Sequence, residues 1–408
     1  MQPLVVQVTV FGQVGCQAPT VTGLSHLSSS LCPAKRPELN ALPDFRMRLP
    51  KRIALLGLLA ACSQQQTGTV AFGAAGPFSR AYGLANKQGI QLALDEINSG
   101  AGWAGGRHLE IKFADDSGNG ARASTIAQRF VDDRNIVAVV GHVNSGAMVS
   151  AAHVYDGNLA AVATTATSPA LTGISRWTFR VIPSDSANGM TIAQFVNKMG
   201  RRRAAVLYEN NAYGRGLAES FRRSFAGQII GMDPISEAAD QDFEPYVSWF
   251  KRERPDMVFV AGTDVSGLAF LKEARRQQLA ADLVGGDGWQ TVAPSSLAEG
   301  IFVGAPFSAQ DPRPEVRSFV AAYTKKYGTT PDGNAALAYD ATKLLAHAVE
   351  RVGPDRSKIR DYLATLAGGE AYRGVTGSIR FRIDGDPVGK SIVMTRVRNG
   401  ELLVEGAK

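Results

Sequence analysis

Cysteine is almost absent from this 408-residue chain, and its three cysteines, Cys16, Cys32 and Cys62, all lie in the first 62 residues. The rest of the chain therefore has neither a disulfide nor a thiolate metal site. The five histidines are scattered and form no His-Glu-x-x-His pattern, so a zinc site has little support. These absences predict a folded body without metal.

Catalytic signatures are also lacking. The chain has no Gly-x-Ser-x-Gly elbow and no Walker A loop. Residues 248–251 match Ser-x-x-Lys, but they lie in a predicted helix and no Lys-Thr-Gly accompanies them. Residues 118–123 imitate a dinucleotide fingerprint, yet the next strand ends at Gly141-His142 rather than at an acid. We predict that the chain is not an enzyme and binds no cofactor.

The charge balance gives little reason to expect a nucleic-acid partner. The net charge is +7, and residues 1–62 hold six basic against two acidic side chains, a net +4, which leaves +3 for the rest. The one dense basic run, Arg201-Arg202-Arg203, is typical of a solvated loop before a strand. A body so nearly neutral does not indicate a polyanion-binding surface.

The segment 47–62 has the pattern of a secretory signal. Basic residues 47–52 precede the short apolar stretch 53–61, which is shorter than the roughly 20 residues that a membrane-spanning helix needs. The stretch ends in Leu59-Ala60-Ala61-Cys62, which resembles a bacterial lipobox. That resemblance implies cleavage before Cys62 and lipid attachment to its sulfur. An unlipidated signal peptide with a chance cysteine is the alternative.

Residues 1–46 precede a complete signal that starts with its own methionine, Met47. We therefore predict that 1–46 is an over-extended reading frame. Residues 63–68 are predicted to be a flexible tether between the anchor and the body.

Apolar runs and helical patterns alternate along the body. Apolar runs between amphipathic helices indicate parallel sheets that are covered on both faces. The predicted strands are 69–73, 109–114, 136–141, 159–164, 204–208, 228–232, 257–261, 283–285, 376–381 and 390–398. The predicted helices are 89–99, 121–133, 145–153, 217–225, 246–252, 267–278, 316–327 and 335–352.

Two such series occur, divided by the break at 183–188, and the late segments indicate that the chain visits a second lobe and returns. The predicted lobes are 69–185 with 307–390, and 186–306 with 391–408. Ligands of open α/β sheets bind beyond the carboxyl ends of the strands. Two lobes that face each other would form a cleft there.

Several short stretches carry a resemblance to a known family over essentially all of residues 69–400. The chain resembles the leucine/isoleucine/valine-binding proteins, which are type I periplasmic binding proteins of ABC importers. This resemblance implies two doubly wound, Rossmann-like α/β lobes joined by three crossovers and closing by hinge motion. The stretches are Ala75-Gly76-Pro77, Ala81-Tyr82-Gly83, 89–98, Ala114-Asp115-Asp116, Val140-Gly141-His142, Ala166-Thr167-Ser168-Pro169, Tyr213-Gly214-Arg215-Gly216 and Gly285-Gly286-Asp287-Gly288.

The resemblance assigns the carboxylate of an amino-acid ligand to the first lobe. Ser145 follows a strand and opens a helix, where a hydroxyl, a backbone N–H and the helix N-terminus suit an anion. Thr165 and Thr167 lie in the loop after the strand 159–164, where such positions are expected to give a carbonyl to the ligand ammonium, and a hydroxyl and an N–H to the ligand. An N-cap serine and a simple turn stabilised by threonines are the alternatives.

The second lobe is assigned the ligand ammonium. Asp287, an acid among glycines at a strand end, matches the position that pairs with this cation, and Tyr213 is expected to cap the ligand. A solvated turn carboxylate and an aromatic used for packing are the alternatives. Tyr82 and Trp289 are candidates for the side-chain pocket, although core packing explains them nearly as well.

The sequence departs from the family at two places. Thr263 occupies a position where some members have tyrosine, which leaves the ligand side chain open. Ser117 and Asn144 stand near positions where cysteines can occur, so the early disulfide of the family is missing.

The resemblance predicts a monomeric, lipid-anchored binding protein in the periplasm or at the cell surface. It would bind a branched-chain or other apolar amino acid and deliver it to a membrane permease. The alternatives are an amide, urea or aromatic acid as ligand, or a sensor lobe that signals to a membrane partner without transport.

Overall fold

The computed structural model describes residues 68–100, 102–366 and 368–406. The signal segment, Cys62 and the tether up to residue 67 lie outside these residues, so the predictions made for them stay predictions. Within the described ranges, none of the helices combines the length and the apolar character needed to cross a membrane.

The first sheet has five parallel strands in the order β2-β1-β3-β4-β5. Alternate side chains of each strand are buried on opposite faces, as a parallel sheet covered on both sides requires. Phe72 packs with Ile90 and Leu345 on one face, whereas Ala71 packs with Ile126 and Met148 on the other. The strands are β1 Thr69–Gly76, β2 His108–Asp115, β3 Ile136–Gly141, β4 Ala160–Ala163 and β5 Thr178–Arg180.

The second sheet has seven strands in the order β14-β13-β10-β9-β8-β6-β7. Its central strands are parallel, and β13 pairs antiparallel with both β10 and β14. The strands are β6 Arg203–Glu209, β7 Gln228–Ile235, β8 Met257–Ala261, β9 Asp282–Gly285, β10 Phe302–Ala305, β13 Val393–Arg398 and β14 Glu401–Val404. The remaining pair, β11 Tyr372–Gly374 and β12 Gly377–Ile379, forms a separate hairpin.

Ten α-helices cover the two sheets in the described part of the chain. They are α1 Ala81–Ser99, α2 Gly120–Asp132, α3 Ser145–Tyr155, α4 Asp185–Lys198, α5 Ala212–Ser224, α6 Glu244–Glu253, α7 Asp264–Arg276, α8 Pro314–Tyr327, α9 Gly333–Val352 and α10 Arg356–Thr365. All eight predicted helices are present, and α1 begins eight residues earlier than the predicted 89. Helices α4 and α10 were not predicted.

The chain passes between the sheets three times. Helix α4 packs on the second sheet, helices α9 and α10 return to the core of the first, and β13 joins the second sheet again. The predicted fold class, two α/β lobes joined by three crossovers, is confirmed. The residue boundaries assigned to each lobe stay predictions.

Candidate functional site

A cleft lies where the carboxyl ends of strands from both sheets meet. About 640 Å³ of space in it is free of protein atoms, part of it open to solvent. Five of the predicted site residues line it: Tyr82, Ser145, Thr165, Tyr213 and Asp287. Because each strand end contributes a loop at this edge, distant parts of the sequence converge here.

The first-lobe wall is built around the start of helix α3. Asn144 is the N-cap residue, but its side chain does not cap the helix, so the first backbone N–H groups of α3 have no partner within the helix. The Ser145 hydroxyl oxygen accepts hydrogen bonds from the N–H groups of Thr167 and Ser168, both at 3.1 Å. Its own O–H can still donate, so this wall presents donors and a positive helix end to the cleft.

The two threonines of the next loop differ in position. Thr165 lines the cleft and donates its hydroxyl to the Val143 carbonyl at 3.1 Å. Thr167 is fully buried behind the cleft wall, and its N–H is already bonded to Ser145. In this structure the Thr167 N–H therefore holds Ser145 in place, and a role of Thr167 towards a ligand stays a prediction.

Asp287 forms the opposite pole of the cleft. It follows β9 and is only 6% exposed, and its Oδ1 accepts a hydrogen bond from the Tyr213 hydroxyl at 3.1 Å. The same hydroxyl accepts from the Gly288 N–H at 3.0 Å. Burial raises the pKa of Asp287 to about 6, although the Tyr213 hydrogen bond opposes this rise. A cation beside Asp287 would lower this pKa and favour the charged form.

Two glycines make this contact between Tyr213 and Asp287 possible. A Cβ atom on Gly286 would lie 2.9 Å from the Tyr213 hydroxyl, and one on Gly288 would lie 3.0 Å from it and 2.6 Å from the Gly262 carbonyl. Side chains at these two positions would displace the tyrosine. The glycines on both sides of Asp287 therefore allow the Tyr213 hydroxyl to approach this carboxylate closely.

Trp289 is the predicted pocket residue that the structure places elsewhere. Its side chain is fully buried in the core of the second lobe, against Phe270 and the backbone of Gly267 and Gly285. The 3₁₀ helix Asp287–Val292 turns about 120° per residue, so residues two apart face different directions. Asp287 faces the cleft and Trp289 therefore faces the core, which corrects its assignment to the ligand side-chain pocket.

The cleft also contains polar residues that the sequence reasoning did not assign to a site. Glu237 follows β7 and lines the cleft, as do Asn144, Asn211, Thr263 and Asn334. Glu237 meets the rule that singled out Asp287, an acid just beyond a strand, but its loop carries no glycine motif. Thr263 points its hydroxyl at the buried Glu209 carboxylate, at 2.7 Å.

Asp185 is a second buried carboxylate near Asp287. It opens α4 and has no exposed surface, and neither of its carboxylate oxygens makes a hydrogen bond to another described residue. The Thr167 hydroxyl lies beside it without hydrogen-bond geometry. Burial first, and then the charge of Asp287, raise the pKa of Asp185 well above its usual value. Asp185 lies in the sequence break at 183–188. We used that break only to divide the lobes, so the sequence analysis did not consider Asp185 itself.

A buried histidine near the cleft contacts a carboxylate and a hydroxyl, and these contacts stabilise the fold. His142 contacts the Asp116 carboxylate through Nδ1 at 2.6 Å and the Tyr155 hydroxyl through Nε2 at 2.9 Å. All three residues have no exposed surface and none lines the cleft. The trio ties the loops after β2 and β3 to the last residue of α3.

Fold and site together define a two-lobed binding protein with its ligand cleft between the lobes. The chain belongs to the periplasmic binding protein family, whose profile matches residues 70–401. Membership of a family of binding proteins also confirms the prediction that the chain is not an enzyme.

Named relatives and solved structures cover most of the chain. A leucine-, isoleucine-, valine-, threonine- and alanine-binding protein of Pseudomonas aeruginosa is 26% identical over 83% of this chain and 93% of its own. An ABC transporter substrate-binding protein of Desulfitobacterium hafniense in complex with Leu is 30% identical, covers 82% of this chain and 99% of its own, and gives a TM-score of 0.72. A solute-binding protein of R. palustris in complex with benzoate gives a TM-score of 0.76 at 20% identity, with 83% and 96% covered, and shows the fold alone.

Proposed function

We propose that this protein is the extracytoplasmic solute-binding component of an ABC importer and that it binds an α-amino acid. The observation that carries the proposal is the opposition of two poles in one cleft. The start of α3 with Ser145 offers donors for a carboxylate, and Asp287 with Tyr213 offers a carboxylate for an ammonium group. A zwitterion has both groups.

The relatives support the transport role. The Pseudomonas aeruginosa and Desulfitobacterium hafniense proteins are named for amino-acid binding and for an ABC transporter, respectively. Those names favour a branched-chain or other apolar amino acid as the ligand. The two poles, however, serve the groups that every α-amino acid shares, so the proposal holds for polar amino acids as well.

An aromatic acid, as in the benzoate complex, is a weaker candidate ligand for this chain. Such a ligand would satisfy the α3 start but would leave Asp287 buried without a cation. An unpaired charge in a closed site strongly disfavours binding. Amides and urea lack a full positive charge and meet the same objection, and a sensor lobe without transport would use the same cleft.

Closure of the lobes has a direct structural correlate beside Asp287. Gln290, on the second lobe, accepts a hydrogen bond from the N–H of Gly333 at the start of α9, at 2.9 Å. Its amide N–H donates to the Asp287 carbonyl, also at 2.9 Å. Because α9 packs in the core of the first lobe, this side chain links the two lobes at the ligand site and supports hinge closure.

Isothermal titration of the purified protein with the twenty common amino acids tests the proposal. We expect at least one of them to bind in the micromolar range or tighter, and benzoate, urea and acetamide to bind far more weakly. Failure of every amino acid to bind at millimolar concentration would overturn the proposal.

We further propose a membrane anchor formed by lipid on Cys62, after removal of a signal that starts at Met47. The basic segment, the short apolar stretch and the lipobox-like end support it. The mass of the protein isolated from its own cells should correspond to residues 62–408 plus lipid. Peptides from residues 1–46 in that protein would contradict the predicted start.

A further inference from the structure

Most residues that line the cleft carry a polar or charged group, although carbon atoms form the larger share of its surface. Of the residues that line the cleft in the described chain, Val143 is the single aliphatic one. The others are tyrosines, hydroxyl and amide side chains, glycines and the two acids Glu237 and Asp287. Pockets for small ligands are predominantly apolar with few polar groups. A leucine or isoleucine side chain would meet few aliphatic side chains in this lining.

Glu237 is the residue in this region that most needs a partner. Its carboxylate makes no hydrogen bond or ion pair with another residue in the described ranges, although the side chain is partly buried. Burial first, and then the charge of Glu209, raise the pKa of Glu237 to about 7. Asp264 adds further negative charge, and the exposed Arg80 is the cation that opposes it.

Tyr82 shares this end of the cleft with Glu237. Both side chains line the cleft. Burial raises the pKa of the Tyr82 hydroxyl, and the charge of Glu237 is the next cause. The Asn144 amide donates to the Tyr82 hydroxyl at 3.0 Å, which holds the ring against the first-lobe wall. An aromatic ring beside a carboxylate is a favourable environment for a cation.

We infer that the ligand carries a second cationic group on its side chain and that Glu237, assisted by Tyr82, binds it. The ligand class is then the basic α-amino acids, whose side chains end in an ammonium or guanidinium group. This inference rests on the proposed function, because Asp287 and the α3 start hold the α-amino and α-carboxylate groups. An aliphatic side chain would remove water from Glu237 without replacing its hydrogen bonds, which disfavours such ligands.

Titration of the purified protein with arginine, lysine and ornithine, and in parallel with leucine, isoleucine and glutamine, tests the inference. We expect at least one basic amino acid to bind ten-fold or more tightly than leucine and glutamine. Glu237→Gln keeps the size of the side chain but removes its charge. It should weaken binding of the basic amino acid at least ten-fold and change leucine binding less than three-fold.

Asp240→Asn is the matched control, because Asp240 lies in the same loop, is exposed and does not line the cleft. It should leave every affinity within two-fold. If leucine or glutamine binds more tightly than each basic amino acid, or if Glu237→Gln leaves basic ligands unaffected, the inference is overturned and the proposed function stands. If no amino acid binds, both fail.

Discussion

Replacing Asp287 by alanine should abolish high-affinity binding of the amino acid while leaving the protein folded. Asp287 is the carboxylate at the second-lobe pole, and it is 6% exposed. Loss of one partner of a buried, hydrogen-bonded charge pair costs roughly 2–5 kcal/mol of binding free energy. At about 1.4 kcal/mol per factor of ten, this is a loss of about 30-fold to several thousand-fold in Kd, which isothermal titration measures directly.

Folding should not suffer from this substitution. Burial raises the pKa of Asp287 to about 6, so the empty protein gains nothing from its charge at neutral pH. The Tyr213 hydroxyl loses one hydrogen bond but keeps the one from the Gly288 N–H. Thermal unfolding of ligand-free Asp287→Ala should therefore resemble that of the wild type.

Asp282→Ala serves as the control for this prediction. Asp282 begins the same strand, β9, at the end opposite the cleft, and pairs with Arg201 on the surface. Its loss should not change ligand affinity. If Asp287→Ala binds the ligand with wild-type affinity, Asp287 does not contact the ligand. The main support for an α-amino acid ligand would then be lost.

The two lobes were predictable from the sequence because the apolar runs and the apolar helix faces indicate the same layered arrangement of strands and helices. Apolar runs such as 136–141 and 257–261 became fully buried central strands, and the helices between them carry the expected apolar faces. Short strands escaped the same reasoning. Thr178–Arg180 and Phe302–Ala305 are three and four residues long. Runs of that length carry little periodicity, although β4 and β9, each four residues long, were predicted.

The site was predictable only where a residue's position along a strand or helix decides its direction. Ser145 and Asp287 follow strands directly, and both line the cleft. Trp289 lies two residues after Asp287, in a 3₁₀ helix whose geometry decides the direction of its side chain. No sequence pattern predicts that helix. Glu237 stands two residues beyond β7, as Asp287 does beyond β9, but it has no glycine motif that would have drawn attention to it. The approach of Asp185 to Asp287 depends on how the crossover folds, so it is a tertiary property.

Asp185→Asn should stabilise the ligand-free protein at pH 8. The wild-type carboxylate is fully buried, lies near Asp287 and has no hydrogen-bond partner among the described residues. Leaving such a group unsatisfied costs about 1–3 kcal/mol. Asparagine has almost the same shape and is also unpaired there, but it carries no charge. Because a buried charge costs more than a buried neutral group, the free energy of unfolding from chemical denaturation should rise at pH 8.

The pH dependence identifies the cause of this gain. Burial raises the pKa of Asp185 in the folded state, so the folded protein holds that proton more tightly than the unfolded chain does. The wild-type stability that depends on this group is therefore complete at low pH and is lost as the pH rises through the folded-state pKa. The advantage of Asp185→Asn should shrink towards pH 4 and grow towards pH 8.

Asp340→Asn is the contrasting control. Asp340 is equally buried, but its two oxygens accept hydrogen bonds from the N–H groups of Val375 and Thr376 and from the Thr376 hydroxyl, at 2.5–2.8 Å. An amide cannot accept all three, so this variant should be destabilised. If both variants lose stability at pH 8, the Asp185 carboxylate has favourable partners in the folded protein. The proposal that this carboxylate destabilises the ligand-free protein would then be wrong.

Saturating amino-acid ligand connects this instability to binding. The ammonium group beside Asp287 would lower the negative potential that also acts on Asp185. The wild type should then gain more stability from ligand than Asp185→Asn does, and the difference between the two proteins at pH 8 should narrow. A buried charge at a binding site often destabilises the ligand-free protein. The same charge strengthens binding when the ligand neutralises it. Equal stabilisation of both proteins by ligand would show that Asp185 does not sense the bound ammonium.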